Sequence, residues 1–494
     1  MKDQNTYRQI LKATSLFSGV QLLNILFSII KSKFAAVLIG PSGMGILGLF
    51  NSTLNLASVI SKLGLDLSSV KEIAYAKQNL STERVDSIIY VLKKLVWVSG
   101  LIGALSIIIF SKYLSVLVFD SKDYAFSFVW IAIALFFRQI TLSNLAILQG
   151  QRRLVNLAKA NVYASGFSLV ISIALFYYFG VDGIVPFILL SAIFGYYISH
   201  YFNNYKVSTQ KKLTLKETIF EGKGMIKLGL TLSVTSLFSI LTVYMLQIYV
   251  KNVGGISEVG FYNVGFLIIN TYVGMVFNAM GKDYFPRLSA VSDNFEKASD
   301  IIIKQALIGV LLVTPIIIIF LSFAPTLIRL FFSAEFLVVV SLVSFGLIGI
   351  VFKAASWSMG YYFIAKGDSK VYIKTAIGFN ALLLLMSIIG YDYDGLRGLG
   401  ISFLAYYIIH FSVIYLIMKF RYLFSLNKEF IYVFLACICF CLISLVLTFI
   451  GNAEIKYILL TVMIILSSWF TLYFINKKVD LRSVINSFIG KKND

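Results

Sequence analysis

The sequence predicts an all-α, polytopic membrane protein of fourteen transmembrane helices, built as two six-helix bundles in a parallel internal repeat plus two C-terminal helices. Three observations carry this expectation. Of the 494 residues, 59% are hydrophobic and only 13% charged, too apolar a balance for a soluble domain. Apolar stretches long enough to cross a ~30 Å hydrocarbon core as a helix follow one another from residue 12 to residue 476. These stretches also lack the two-residue alternation of barrel strands, and within a bilayer only helices and closed barrels satisfy the backbone.

The first span, 12–38, follows a polar start (MKDQNTYRQI) and is too long for the apolar core of a cleavable signal. It carries Gln21, Asn24, Ser28 and Lys31 at spacings of 3, 4 and 3, which places them on one helix face. The second span, 43–63, repeats the device with Asn51, Asn55, Ser58 and Lys62. Interhelical hydrogen bonding would explain serines alone; amides ending in a lysine on two successive helices point to a hydrated cavity. Spans 88–111 and 125–149 follow, the latter with Arg138 near its middle, and 154–179 and 183–204 complete the first six. Spans 226–250, 258–281, 300–323, 336–364, 370–390 and 396–418 form the second six, with Lys353 inside the fourth of them. The last two, 430–450 and 456–476, stand outside both sets. Cys437, Cys439 and Cys441 share one of these, at a spacing that matches no zinc or redox pattern; they read as packing residues. The expected domains are 1–215, 216–425 and 426–494.

Alternate loops differ in charge. One set holds Lys112, Lys122, Lys251, Arg329, Arg397 and Lys456; nearly all the remaining Lys and Arg outside the spans fall on the other set and the two termini. Basic loops stay in the cytoplasm, so both termini are expected there, and the net charge of +20 reports topology rather than nucleic-acid binding. The longest loop, about 205–225, has no room for a soluble catalytic domain.

Several landmarks recur at an offset of 217: Gly43 and Gly260, Gly64 and Gly281, Asp66 and Asp283, Gly150 and Gly367, Gly183 and Gly400. Six spans separate the copies, so both enter from the same face and the repeat is parallel. The same offset carries Lys353 to residue 136, two positions from Arg138.

Lys31, Lys33, Lys62, Arg138 and Lys353 lie inside the apolar runs, and no acidic residue shares their depth. A charge at the bilayer centre costs about 2.5–3.5 kcal/mol on insertion scales, and such residues face a protein interior or a watery cavity. An all-positive cavity suits an anionic cargo, with Lys31, Arg138 and Lys353 as contacts and Gln21, Asn24, Asn51 and Asn55 as hydrogen-bonding partners. Lys33 and Lys62 sit nearer span ends, where a lysine can snorkel to the interface. The paired acids Asp120/Asp123 and Asp392/Asp394 fall in short loops and read as solvated; His200 and His410 are isolated near span ends and read as structural. No catalytic constellation, metal cluster or cofactor motif emerges, so a transporter is expected rather than an enzyme.

The junction KFAAVLIGPSGMGILGLFN (Lys33–Asn51) resembles the G-P-x-G-x-G turn of the Wzx-type O-antigen and oligosaccharide repeat unit translocases. The segment GKDYFPRLSAV (Gly281–Val291) resembles their stretch after the eighth helix, through Tyr284, Pro286, Leu288 and Ser289. These belong to the multidrug/oligosaccharidyl-lipid/polysaccharide (MOP) exporter superfamily. The resemblance implies two bundles opening alternately to either side of the bacterial inner membrane. It implies as cargo an undecaprenyl-pyrophosphate-linked glycan flipped from the cytoplasmic to the periplasmic leaflet, with a polysaccharide polymerase and a chain-length regulator as partners. A lipid II flippase is the neighbouring alternative. A cation-coupled multidrug antiporter of the same superfamily is less well matched, because it needs an embedded carboxylate.

Overall fold

The computed structural model describes residues 2–205 and 213–478, and the side chains of all of these except 2–19, 21, 22, 79, 232, 278, 279, 282 and 478. The Gln21 side chain, most of the basic loop after residue 205, and the tail from 479 therefore lie outside the described residues. Sixteen α-helices run through them. The first nine are α1 (Lys2–Lys62), α2 (Leu65–Asn79), α3 (Thr82–Ile109), α4 (Ser111–Phe119), α5 (Ala125–Gly150), α6 (Leu154–Phe179), α7 (Ile184–Asn203), α8 (Leu215–Glu221) and α9 (Lys223–Gly254). There follow α10 (Ile256–Leu267), α11 (Met275–Ser289), α12 (Phe295–Phe331), α13 (Val340–Ala365), α14 (Ser369–Tyr422), α15 (Lys428–Leu447) and α16 (Ala453–Lys478). The protein is an all-α, multi-pass membrane protein: eleven of its described helical segments are long and apolar enough to cross a bilayer.

Three of these segments, Leu23–Lys62, Leu154–Asn203 and Ser369–Tyr422, run to 40, 50 and 54 residues, about twice what one crossing needs. Each is interrupted. α1 breaks at Gly40 (φ 63°, ψ −171°), directly before Pro41. The left-handed backbone is open to glycine, and proline disfavours a helical residue before it. The Leu154–Asn203 segment breaks at Gly180 (φ 55°, ψ −128°), and α14 breaks at Asp394–Gly395, where Gly395 has φ 51° and ψ −132°.

Two compact units divide the chain, one of residues 1–260 with 331–333 and one of 261–330 with 334–494. In the first, α2, α3, α5 and α9 meet in a core that includes Leu65, Ile73, Ile89, Leu92, Ile147 and Met225. α9, which belongs to the second copy of the repeat by sequence, packs in this first unit: a Cβ at Gly64 would lie 2.0 Å from the Gly229 carbonyl oxygen. In the second unit a core forms around Tyr284, Leu288, Ile302, Tyr362 and Met418. The Tyr284 hydroxyl donates to the Ser358 carbonyl at 2.6 Å, so the GKDYFPRLSAV segment serves as a packing element. Cys437 and Cys441 are buried, and Cys439 is exposed.

The structure corrects the repeat register. Gly180 and Gly395 share a backbone conformation, and they are 215 residues apart. Gly40 (φ 63°, ψ −171°) and Gly255 (φ 88°, ψ 177°) form another such pair at the same offset. α5 and α13 are both 26 residues long and begin 215 apart, at Ala125 and Val340. Glycines are numerous, and the 217-residue offset pairs ones that differ in structural setting. Gly367, for example, pairs structurally with Arg152, both left-handed (φ 75° and 56°), rather than with Gly150.

Two tests follow from these elements. A Cβ at Gly395 or at Gly378, both in α14, would meet no atom within 4 Å, so their alanine variants isolate backbone effects. Gly395→Ala should cost about 1–3 kcal/mol through strain alone, whereas Gly378→Ala should be neutral or add about 0.5–1 kcal/mol; thermal midpoints in detergent measure both. Asp368, the N-cap of α14, accepts from the Tyr422 hydroxyl at 2.8 Å and from Arg421 at 2.7 Å. The Tyr422 hydroxyl foremost, helped by the Val371 amide and Arg421 and opposed by partial burial, holds its carboxyl below the usual range. A depressed carboxylate contributes stability above its unfolded pKa of about 3.9 and loses it as pH falls through the native value. The gap in thermal midpoint between wild type and Asp368→Ala should therefore be constant near neutrality and narrow below about pH 4.

Candidate functional site

Within the first unit the polar stripe of α1 faces α5, α6 and α7. Lys31 and Arg138 line two cavities that share four residues, Ser168 and Ser191 being the other two. One cavity, of about 430 Å³, also takes in Asn51 and Thr141. The other, of about 580 Å³, takes in Asn24 and Ser28. The described residues that line them include no carboxylate.

Each cation is positioned by the helix beneath it. Gln139, buried next to Arg138, donates to the Ser58 carbonyl at 3.0 Å and so pins α5 against the part of α1 beyond Gly40. That contact aims Arg138 at Asn55, whose Oδ1 accepts from Nη2 at 2.8 Å. Lys31 Nζ lies 6.0 Å from the centre of the Phe187 ring, a weak cation–π distance. Asn24 Oδ1 is buried with no protein hydrogen-bond partner. The ensemble offers two cations and several amide and hydroxyl groups around open space, a donor set that suits phosphate oxygens and sugar hydroxyls.

The expected residues divide accordingly. Asn24, Lys31, Asn51, Asn55 and Arg138 come together. Lys62 pairs with Asp66 at 2.9 Å, and Lys33 donates to the Phe332 carbonyl at 2.5 Å; neither lines the two cavities. Lys353 lies in the second unit, half-buried, with Nζ 3.2 Å from Asn270 Oδ1 and the rings of Tyr407 and Phe277 at 5.4 and 5.8 Å. Its neighbour His410 places Nδ1 2.9 Å from Ser356 Oγ. Of the loop acids, Asp120 pairs with Lys251 at 2.6 Å and Asp394 with Arg397 at 3.5 Å. Sequence reading passed over Asn161, Ser165 and Ser168, which line the larger cavity. Their spacing of 4 and 3 on α6 is the signal that had singled out the stripes of α1.

Solved structures share this architecture. An inward-facing multidrug resistance MATE family transporter of the MOP superfamily aligns over 83% of this chain and 98% of its own, at 18% identity and a TM-score of 0.68. The lipid II flippase MurJ, in an inward closed conformation, aligns over 95% of this chain and 99% of its own, at 13% identity and a TM-score of 0.67. The fold is thus the one these MATE and MurJ structures share. More narrowly, the chain belongs to the polysaccharide biosynthesis protein family, which matches residues 34–341. A putative O-antigen transporter of Shigella flexneri is 26% identical over 384 residues, 75% of this chain and 88% of that protein.

The charge of the cavity can be read directly. With the three native cysteines replaced by alanine, Ser168→Cys should react with water-soluble methanethiosulfonates. The anionic reagent should react faster than the cationic one by about fivefold or more, because two cations with no carboxylate among the lining residues raise the local potential. That ratio should collapse toward unity in Lys31→Gln/Arg138→Gln; a ratio unmoved by the double substitution contradicts the geometry.

Proposed function

We propose that the protein is a flippase. It moves an undecaprenyl-pyrophosphate-linked oligosaccharide repeat unit from the cytoplasmic to the periplasmic leaflet of a bacterial inner membrane, for O-antigen or another surface polysaccharide. The observation that carries this reading is the pair of cavities around Lys31 and Arg138, whose charged lining residues are all positive, in a chain of the polysaccharide biosynthesis protein family. A pyrophosphate brings negative charge that Lys31 and Arg138 can share, and charge-assisted hydrogen bonds are the strongest available to a hydrated site. Asn24, Asn51 and Asn55 add amide contacts to phosphate or sugar. The lipid tail has no need to enter the cavity.

On this reading each of the three broken segments counts as two crossings, giving fourteen, with both termini in the cytoplasm as the loop charges require. Transport proceeds by alternating access. A polysaccharide polymerase and a chain-length regulator act on the delivered unit. A cation-coupled drug antiporter would use an embedded carboxylate, and the residues lining the cavities supply none. A lipid II flippase would share the cationic lining; the family match favours a surface glycan.

Deleting the gene should remove the surface glycan and accumulate its undecaprenyl-pyrophosphate-linked unit in the inner leaflet. Complementation with Lys31→Gln or Arg138→Gln should lower surface glycan at least about tenfold at normal membrane levels. Accumulation of lipid II, or drug sensitivity without glycan loss, would sink the proposal.

A further inference from the structure

We infer that anion binding is confined to the first half of the repeat, and that the second half carries a copy of the same site occupied by its own aromatic side chains. The inference rests on the anionic-cargo reading given above and assigns that anion to one half.

The two copies are recognised by geometry. Arg138 reaches Asn55 and Lys353 reaches Asn270, and in each pair the partners are 83 residues apart. Both members shift by 215, the register set by the paired glycine breaks. A second contact agrees. A Cβ at Gly195 would lie 3.8 Å from Thr141 Oγ1; 215 residues on, the His410 ring meets Ser356 Oγ at 2.9 Å.

In this register the residues that leave room beside Arg138 are small, and their counterparts in the second half are rings, of which Tyr407 faces Lys353 at 5.4 Å. Ala164 corresponds to Phe379, Ser191 to Tyr406, Ala192 to Tyr407 and Gly195 to His410. The rings pack on one another: Phe379 on His410 at 4.2 Å, Tyr406 on Tyr407 at 4.9 Å, and Tyr407 on His410 at 5.8 Å between centroids.

The consequence is electrostatic as well as steric. Arg138 and Lys353 each donate to an amide oxygen, but Lys353 is also faced by the rings of Phe277 and Tyr407, whose negative faces stand in for an incoming anion. Arg138 and Lys31 face open cavities of about 430 and 580 Å³. Lys353 thereby becomes a structural cation, and Ala164, Ser191, Ala192 and Gly195 become the residues that keep the anion site open.

Inorganic pyrophosphate is the probe, titrated calorimetrically into the full-length protein in detergent at fixed low ionic strength. Wild type should bind it. Arg138→Gln should weaken binding at least about tenfold, and Lys353→Gln less than about twofold. Gly195→His, which installs the second half's ring in the first, should also weaken binding at least about tenfold. Ala192→Tyr repeats that test should Gly195→His fail to give a monodisperse, cooperatively melting protein. Equal losses in Lys353→Gln and Arg138→Gln would overturn the division between halves while leaving the anionic-cargo reading intact. Full binding in both ring variants would overturn it too. A wild type indifferent to pyrophosphate would overturn the inference and the cargo reading together.

Discussion

A positive charge held at the depth of the hydrocarbon has to be given water, an acceptor or a ring, because leaving it bare costs several kcal/mol. Much of the first unit is arranged around that requirement. Arg138 has the Asn55 oxygen at 2.8 Å, and Gln139 locks the helix that presents it. Serines and alanines on α6 and α7 leave space around it. The second unit meets the same requirement around Lys353 with rings in place of space.

The fold class was legible because long apolar runs and loop charges are properties of composition along the chain, insensitive to detail. The breaks were less so. Spans 12–38 and 43–63 were separable through Gly40–Pro41, and the other two interruptions fall at glycines whose role depends on a backbone angle that no residue type announces. The repeat was visible, yet its register was two residues out, since glycine occurs 34 times and serves both breaks and loop turns. Dihedral angles and helix ends, which sequence does not carry, restore it, and Arg138 and Lys353 then fall into register.

At the candidate site, the grouping of Asn24, Lys31, Asn51 and Asn55 could be anticipated from polar stripes on apolar helices, and that of Arg138 from its charge near the middle of a span. Lys33 and Lys62 carried the same charge nearer span ends and found near neighbours, a carbonyl and Asp66, that spacing alone hardly ranks against a cavity. The surroundings of Lys353 were hidden for another reason: Tyr406, Tyr407 and His410 at helical spacing look like ordinary core, and only their contacts reveal a ring cluster whose Tyr407 faces a cation.

The order of the partners along the chain has a consequence for biogenesis. In both copies the amide precedes its cation by 83 residues. Chains are made and inserted from the N-terminus, so each basic helix emerges beside a helix that already offers an acceptor. α6 and α7 are joined by only four residues, Gly180–Gly183, and can enter as a local hairpin of low contact order. For Arg138 and Lys353, insertion thus does not have to leave the side chain in lipid while its amide partner is translated.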